Sequence, residues 1–153
     1  MRNSSRKKNL KKRNNISPLN YALRLLSRKD YSVYEIKEKL LNRNYTEKEI
    51  ENTIKKLLER DLLNDMRYAE RIIKKYAFVK RYGYLKVRNE LFKRGLKYEE
   101  ALELLDSLYT EEDEKHNAFS LISKRPPDKI ANYLLSKGYR AHIVREILAE
   151  PKQ

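Results

Sequence analysis

The sequence predicts an all-α protein made of three tandem three-helix repeats that stack into an elongated, curved rod. Three observations carry this. Only three Gly and four Pro punctuate 153 residues, which favours long helices and short connections. No segment alternates apolar and polar residues as a half-buried strand does. Three stretches of the chain also align with one another without gaps.

The aligned stretches are Ser32 to Leu58, Gly83 to Tyr109 and Pro126 to Ala149. Ile36, Val87 and Ile130 correspond, as do Leu40, Leu91 and Leu134, then Leu41, Phe92 and Leu135. The turns match as Arg43-Asn44-Tyr45, Arg94-Gly95-Leu96 and Lys137-Gly138-Tyr139. Beyond them fall Ile50, Ala101 and Val144, then Ile54, Leu105 and Leu148. Each stretch reads as helix, tight turn, helix. Asn44, Gly95 and Gly138 are the residue types that enter the left-handed region at least cost, which stops a helix sharply.

Caps mark the helix starts. Ser32-x-x-Glu35 and Thr46-x-x-Glu49 are capping boxes, stapled by Tyr31 with Ile36 and by Tyr45 with Ile50. In the second repeat Lys97 takes the cap position with Glu100 three places on, and in the third Arg140 precedes Ile143, a weaker cap. A further helix precedes each pair, over about 18–28, 65–81 and 112–124. These share Ala22, Ala69 and Ala118, with Leu26, Ile73 and Ile122 four positions later on the same face. The resulting division is a basic tail over 1–16 and repeats over 17–63, 64–110 and 111–150. A repeat of this size buries little apolar surface alone, so stacking on neighbours supplies the core.

The chain carries 36 Lys+Arg against 22 Asp+Glu, a net charge of +14. That balance points to a polyanionic partner. With no Cys there is neither a disulfide framework nor a thiolate metal site. No apolar run approaches the roughly 20 residues of a membrane helix, and no leader stands at residues 1–15. A cytoplasmic monomer without a membrane partner is expected.

Arg2, Arg6, Lys7, Lys8, Lys11, Lys12 and Arg13 form a basic tail without an acid. It is expected to be disordered, as phosphate contact or as a solubilising extension. The middle repeat says more. At 100° per residue the helix from Asp65 turns Met66, Ala69, Ile73, Tyr76 and Ala77 inward. Arg67, Arg71, Lys74, Lys75 and Phe78 fall on the opposite side. Lys80-Arg81-Tyr82-Gly83-Tyr84 follows. The next helix sets Lys86 and Lys93 outward, with Arg88 and Arg94 flanking. Together with Tyr68, these residues make a basic surface interleaved with rings, suited to phosphates, bases or a partner's pocket. Residues 98–114 invert the sign, with Glu99, Glu100, Glu103, Asp106, Glu111, Glu112, Asp113 and Glu114. Helix dipoles account for those in first turns, and the others are free to meet a basic protein surface.

Nothing points to catalysis, and no cofactor or metal is expected. His116 and His142 have no second ligand or nucleophile at motif spacing, and no glycine-rich phosphate loop exists. Asp65 reads as a helix-start residue. Sequence-specific helix-turn-helix recognition is disfavoured as well. The leading ends of the second helices read Thr46-Glu-Lys-Glu49 and Tyr98-Glu-Glu100, whose carboxylates repel phosphates.

These residues carry a family resemblance. Tyr21 to Ser32 with Glu35-Ile36 and Lys39-Leu40-Leu41 resembles the opening of RecX proteins. Leu62-Leu-Asn-Asp-Met-Arg-Tyr-Ala69 resembles their most recognisable motif. Gly83, Val87, Glu90-Leu91 and Lys93-Arg94-Gly95-Leu96 are similar to their middle repeat, and the match spans about 17–149. The resemblance implies tandem three-helix repeats and a protein that binds RecA. It implies seating in the groove of the RecA filament on single-stranded DNA, with inhibition of ATPase, strand exchange and coprotease activity. It marks Asp65, Arg67, Tyr68 and Gly83 as site candidates. Tyr84 departs from the pattern, where many relatives have Pro after the glycine.

Overall fold

The computed structural model describes residues 15–150, and all of its regular secondary structure is helical, with no strand among the described residues. Among the described residues nine α-helices run in order: α1 Pro18–Leu26, α2 Val33–Asn42, α3 Glu47–Glu59, α4 Asp65–Ile73, α5 Tyr84–Phe92, α6 Glu99–Leu108, α7 Glu111–Ile122, α8 Pro127–Ser136 and α9 Ala141–Ala149. A π-helical turn, Lys74–Val79, extends α4. The basic stretch 2–13 lies outside the described residues. The fold class is all-α, as the sequence predicts.

The three matching turns close alike. Asn44, Gly95 and Gly138 have φ of 64°, 76° and 88°. Behind each, the following N–H reaches back five residues: Tyr45 to Leu40, Leu96 to Leu91, Tyr139 to Leu134. The turn residue itself bonds three residues back, to Leu41, Phe92 and Leu135. This pair of bonds satisfies the orphan carbonyls at a helix end. A fourth copy, not expected from the sequence, closes α3 at Asp61 (φ 54°), with Leu62 bonding back to Leu57.

The chain divides into two compact units between Tyr68 and Ala69. In the first, Ala22, Ile36, Leu40, Tyr45, Ile50, Ile54, Leu57 and Leu63 form the core. Ser32 makes the full reciprocal capping box with Glu35. Thr46 makes half of one: it accepts the Glu49 N–H, but its hydroxyl donates to the Glu49 carboxylate, which therefore does not return to the backbone. Asn64 caps α4 by accepting from the Arg67 N–H at 3.0 Å. That frees Asp65 to accept from the Val33 N–H at 2.8 Å, at the start of α2. Asp65→Ala removes a charge-assisted bond to an otherwise orphaned donor. It is expected to cost about 1–2 kcal/mol, read as a lower urea midpoint for the first unit.

In the second unit, Ala118, Ile130, Leu134, Tyr139, Ile143, Val144 and Ile147 form a core cluster. Two turns meet here backbone to backbone. The Gly83 N–H donates to the Lys137 carbonyl at 2.9 Å, and Leu85 N–H to the Gly138 carbonyl at 3.0 Å. The cap of α6 is Tyr98, one residue later than the Lys97 expected, and its side chain makes no cap bond. Thr110 and Asp113 form a capping box on α7.

Candidate nucleic-acid interface

The π-helical turn is the local cause of the site. Lys80 N–H bonds to the Lys75 carbonyl, five residues back, and Tyr82 N–H to the Tyr76 carbonyl, six back. A wheel of constant 100° steps fails across such a turn. Phe78, expected among the cations, instead lies edge-on to Tyr109 at 5.6 Å while 43 % exposed. Tyr76, expected in the core stripe, is half-buried and stacks on Tyr82 at 5.6 Å.

The loop after the turn is held by three donors from elsewhere in the second unit. Tyr109 Oη donates to the Tyr82 carbonyl and Tyr139 Oη to the Arg81 carbonyl, both at 2.7 Å. The buried Asn117 side chain donates to the Ala77 carbonyl at 2.7 Å and to Tyr109 Oη. These bonds fix Arg81 in the left-handed region at φ 55°. Both phenols are held far above the ordinary tyrosine range, chiefly by burial, so they stay donors.

Around the Tyr76–Tyr82 stack the structure gathers cations. Lys75, Lys80 and Arg94 lie over the Tyr76 ring at 5.4, 5.9 and 5.6 Å. Lys86 lies over Tyr82 at 4.2 Å and Lys137 at 5.6 Å. Of the residues expected on the interface, Lys75, Lys80, Tyr82, Lys86 and Arg94 come together here. Tyr76 and Lys137 join them unforeseen: Tyr76 reads as core by its spacing, and Lys137 arrives from the third repeat.

The remaining candidates serve other ends. Tyr68 corrects the expectation of a surface ring, for it is only 9 % exposed. Arg67 binds the Asp61 carboxylate at 2.9 Å and its carbonyl at 3.0 Å, bracing the left-handed turn. Lys74 pairs with Glu70 one turn back at 2.8 Å. Arg71 is exposed on α4. Arg81 Nη1 donates to Ser120 Oγ at 3.0 Å. Arg88 lies over Phe92, and its Nε is buried without a partner among the described residues. Lys93 and Arg94 grip the buried Glu90 at 3.1 and 2.9 Å. Burial pushes the Glu90 carboxyl up, but the bonds from Arg94 and Lys93 outweigh it and hold it below its usual range. Gly83 is buried and acts by leaving room for backbone.

Part of the acidic stretch is engaged within the molecule, while Glu99, Glu100 and Glu103 stay exposed. Glu114 is fully buried and takes the Arg140 side chain at 2.6 and 2.9 Å, with the Arg140 and Tyr84 N–H groups at 3.1 and 3.3 Å. Asp106 accepts from Tyr84 Oη, Glu111 lies 2.7 Å from His142 Nε2, and Glu112 pairs with Lys115. Among the described residues no cluster of three or more His, Asp or Glu forms a metal site. No described helix is long and apolar enough to cross a membrane.

Comparison with known proteins bears on most of the chain. Residues 19–57 match the family model of the first three-helix domain of RecX. The regulatory protein RecX of Mannheimia succiniciproducens is 31 % identical over 133 residues, covering 79 % of this chain and 85 % of that one. That of Trichlorobacter lovleyi is 28 % identical, covering 82 % and 90 %. The crystal structure of RecX from Lactobacillus salivarius superposes with a TM-score of 0.74 at 27 % identity, covering 86 % of this chain and 92 % of that one. Matched along most of their length by these relatives, one of them 31 % identical, this chain belongs to the RecX family of regulatory proteins.

Proposed function

We propose that this protein regulates the RecA recombinase, binding RecA and its filament on single-stranded DNA. On this reading it inhibits the filament's ATPase, strand-exchange and coprotease activities, and so controls recombination and repair. Membership of the RecX family carries the reading. The cation cluster on the Tyr76–Tyr82 stack supports it, because a nucleoprotein offers both phosphates and acidic protein surface. The repeats over 17–63, 64–110 and 111–150 are taken together to contact more than one RecA protomer. Bridging protomers opposes the conformational change the filament needs, or caps its growth.

RecA's ATP hydrolysis on excess single-stranded DNA, with this protein titrated in, tests the reading. Inhibition well below one copy per RecA is expected, which competition for DNA cannot produce. The triple variant Lys75→Ala, Lys80→Ala, Lys86→Ala should raise the inhibitory concentration at least tenfold at unchanged helicity. It leaves Lys93 and Arg94 on Glu90, so no buried carboxylate is stranded. Undiminished inhibition would remove these lysines from the contact surface. A second reading, a non-specific nucleoid-type DNA-binding protein independent of RecA, draws on the net charge of +14. It predicts DNA binding with RecA's ATPase untouched.

A further inference from the structure

The row of cations does not stop at Tyr82. Lys137 Nζ stands between two rings, 5.6 Å from Tyr82 and 5.8 Å from Tyr133. Tyr133 carries the Arg125 guanidinium 3.2 Å from its centroid. Beside it opens a cleft of about 530 Å³ lined by Ser120, Ser123, Lys124, Arg125 and Tyr133 together with Leu121 and Pro126. Ser120 Oγ already accepts from Arg81, which comes from the loop that carries Tyr82. The middle and third repeats thus share one strip of charge, Tyr76–Tyr82–Lys137–Tyr133–Arg125, ending in a basic cleft.

Its charge is unspent. Among the described residues Lys75, Lys80, Lys86, Lys137 and Arg125 make no ion pair, whereas Lys74, Lys93, Arg94, Lys115 and Arg140 all do. No acid lines the cleft; Asp128, on the first turn of α8, is the acid nearest to it in sequence. The rings are occupied as well. Tyr76 and Tyr82 cover each other, and cations lie over the rest, so few π-faces remain for a base. A ring beneath an ammonium group restrains it without neutralising it. Each centre-to-centre step along the strip is under 6 Å, within the Debye length of about 8 Å at physiological salt.

We infer that this strip is a binding track for a nucleic-acid phosphodiester backbone, running from the middle repeat into the third, with Lys137 as its joint and the Arg125 cleft as its end. It reads charge and not sequence, because cations rather than bare rings or amides face the ligand. It adds to the RecA reading a direct strand contact that RecA does not mediate, so it is tested without RecA.

The test is fluorescence anisotropy of labelled oligonucleotides, single-stranded and duplex, with the full chain across a salt series. The double variant Lys137→Ala, Arg125→Ala should weaken binding roughly tenfold at 0.1 M salt and flatten the log–log salt slope by about 1.4, at 0.7 per phosphate on a single strand. Lys37→Ala with Lys55→Ala, the same charge loss in the first unit, should do neither. Tyr82→Leu keeps every charge but removes the ring beneath Lys86 and Lys137. It should lose affinity severalfold with the slope kept. Binding to either oligonucleotide with this pattern supports the track, and the preferred one names the source of the phosphates. Equal effects of the two double variants would overturn it. So would an oligonucleotide left unbound at low salt while an acidic polypeptide binds. A RecA assay that fails while oligonucleotide binding behaves as described removes the RecA reading and leaves the track standing.

Discussion

Gly83→Ala is expected to lower the stability of the second unit by about 3 kcal/mol, at the upper end of the range for overpacking. A Cβ at Gly83 would lie 2.1 Å from the Tyr139 nitrogen and 2.3 Å from the Gly138 carbonyl carbon. Both are backbone atoms in a hydrogen-bonded turn and cannot swing aside. The two turns must separate, and the bonds from Gly83 and Leu85 to Lys137 and Gly138 go with them. The φ of Gly83 is −70°, so the demand for glycine is purely one of space. Gly138 faces both demands: its φ is +88°, and its Cβ would lie 2.4 Å from the Lys86 Cβ. Gly138→Asn tolerates the angle but not the contact, so it should fare little better than Gly138→Ala. Urea melts followed by circular dichroism check this. A Gly83→Ala midpoint within error of the parent would mean the turns are not in contact in solution. Because Lys86 and Lys137 flank this junction, both glycine variants should also lose oligonucleotide affinity without losing a charge.

Arg140→Met should destabilise by about 3–5 kcal/mol, the usual cost of stranding a buried charge. Glu114 has no solvent contact. Arg140 supplies it with two side-chain donors and one backbone donor, leaving the Tyr84 N–H as its other donor among the described residues. Glu114→Gln keeps an acceptor for the backbone donors and should cost less, about 1–3 kcal/mol. The double variant Glu114→Gln, Arg140→Met should recover part of the loss, because no carboxylate is then left unpaired. Strict additivity in that cycle would show that the two groups do not interact. The Arg140 guanidinium also lies 4.1 Å over the Tyr84 ring. The Tyr84 phenol is pushed up to about 12, first by burial and then by its bond to Asp106, so it remains a donor at neutral pH.

Much of the fold was legible because its punctuation is local. Asn44, Gly95 and Gly138 announced three turns through conformational cost alone, and the structure places all three in the left-handed region. Ser32 with Glu35 announced a helix start by spacing. The Thr110–Asp113 box carries the same spacing, but within a run of four acids a carboxylate three places on is not distinctive. Asp61 was less readable, since aspartate enters that region less readily than glycine, and here Arg67 and Asn64 brace it.

The site was legible in composition but not in geometry. The middle repeat's cations were visible as a charge run, yet half of them turned out to brace or pair. Whether Arg94 faces solvent or grips Glu90 depends on a carboxylate one helical turn back being buried, which spacing alone does not reveal. Tyr76 follows core spacing up to the residue where the helix changes pitch. Lys137 and Tyr133 lie about 50 residues from Tyr82 in the chain, and only the contact between the Gly83 and Gly138 turns brings them to it.

The widened turn at Lys74–Val79 amounts to one residue more than a regular helix would hold over the same span. Loss of a single codon there would restore regular pitch and rotate everything beyond it by about 100° relative to α4. Tyr82 would leave Tyr76, and the Ala77 carbonyl would no longer meet Asn117. In an evolving lineage, loss of Phe78 or Val79 would in this way dismantle the basic strip while leaving every lysine in the gene. The presence of the extra residue is therefore a more informative trait to follow across descendants than the count of positive charges.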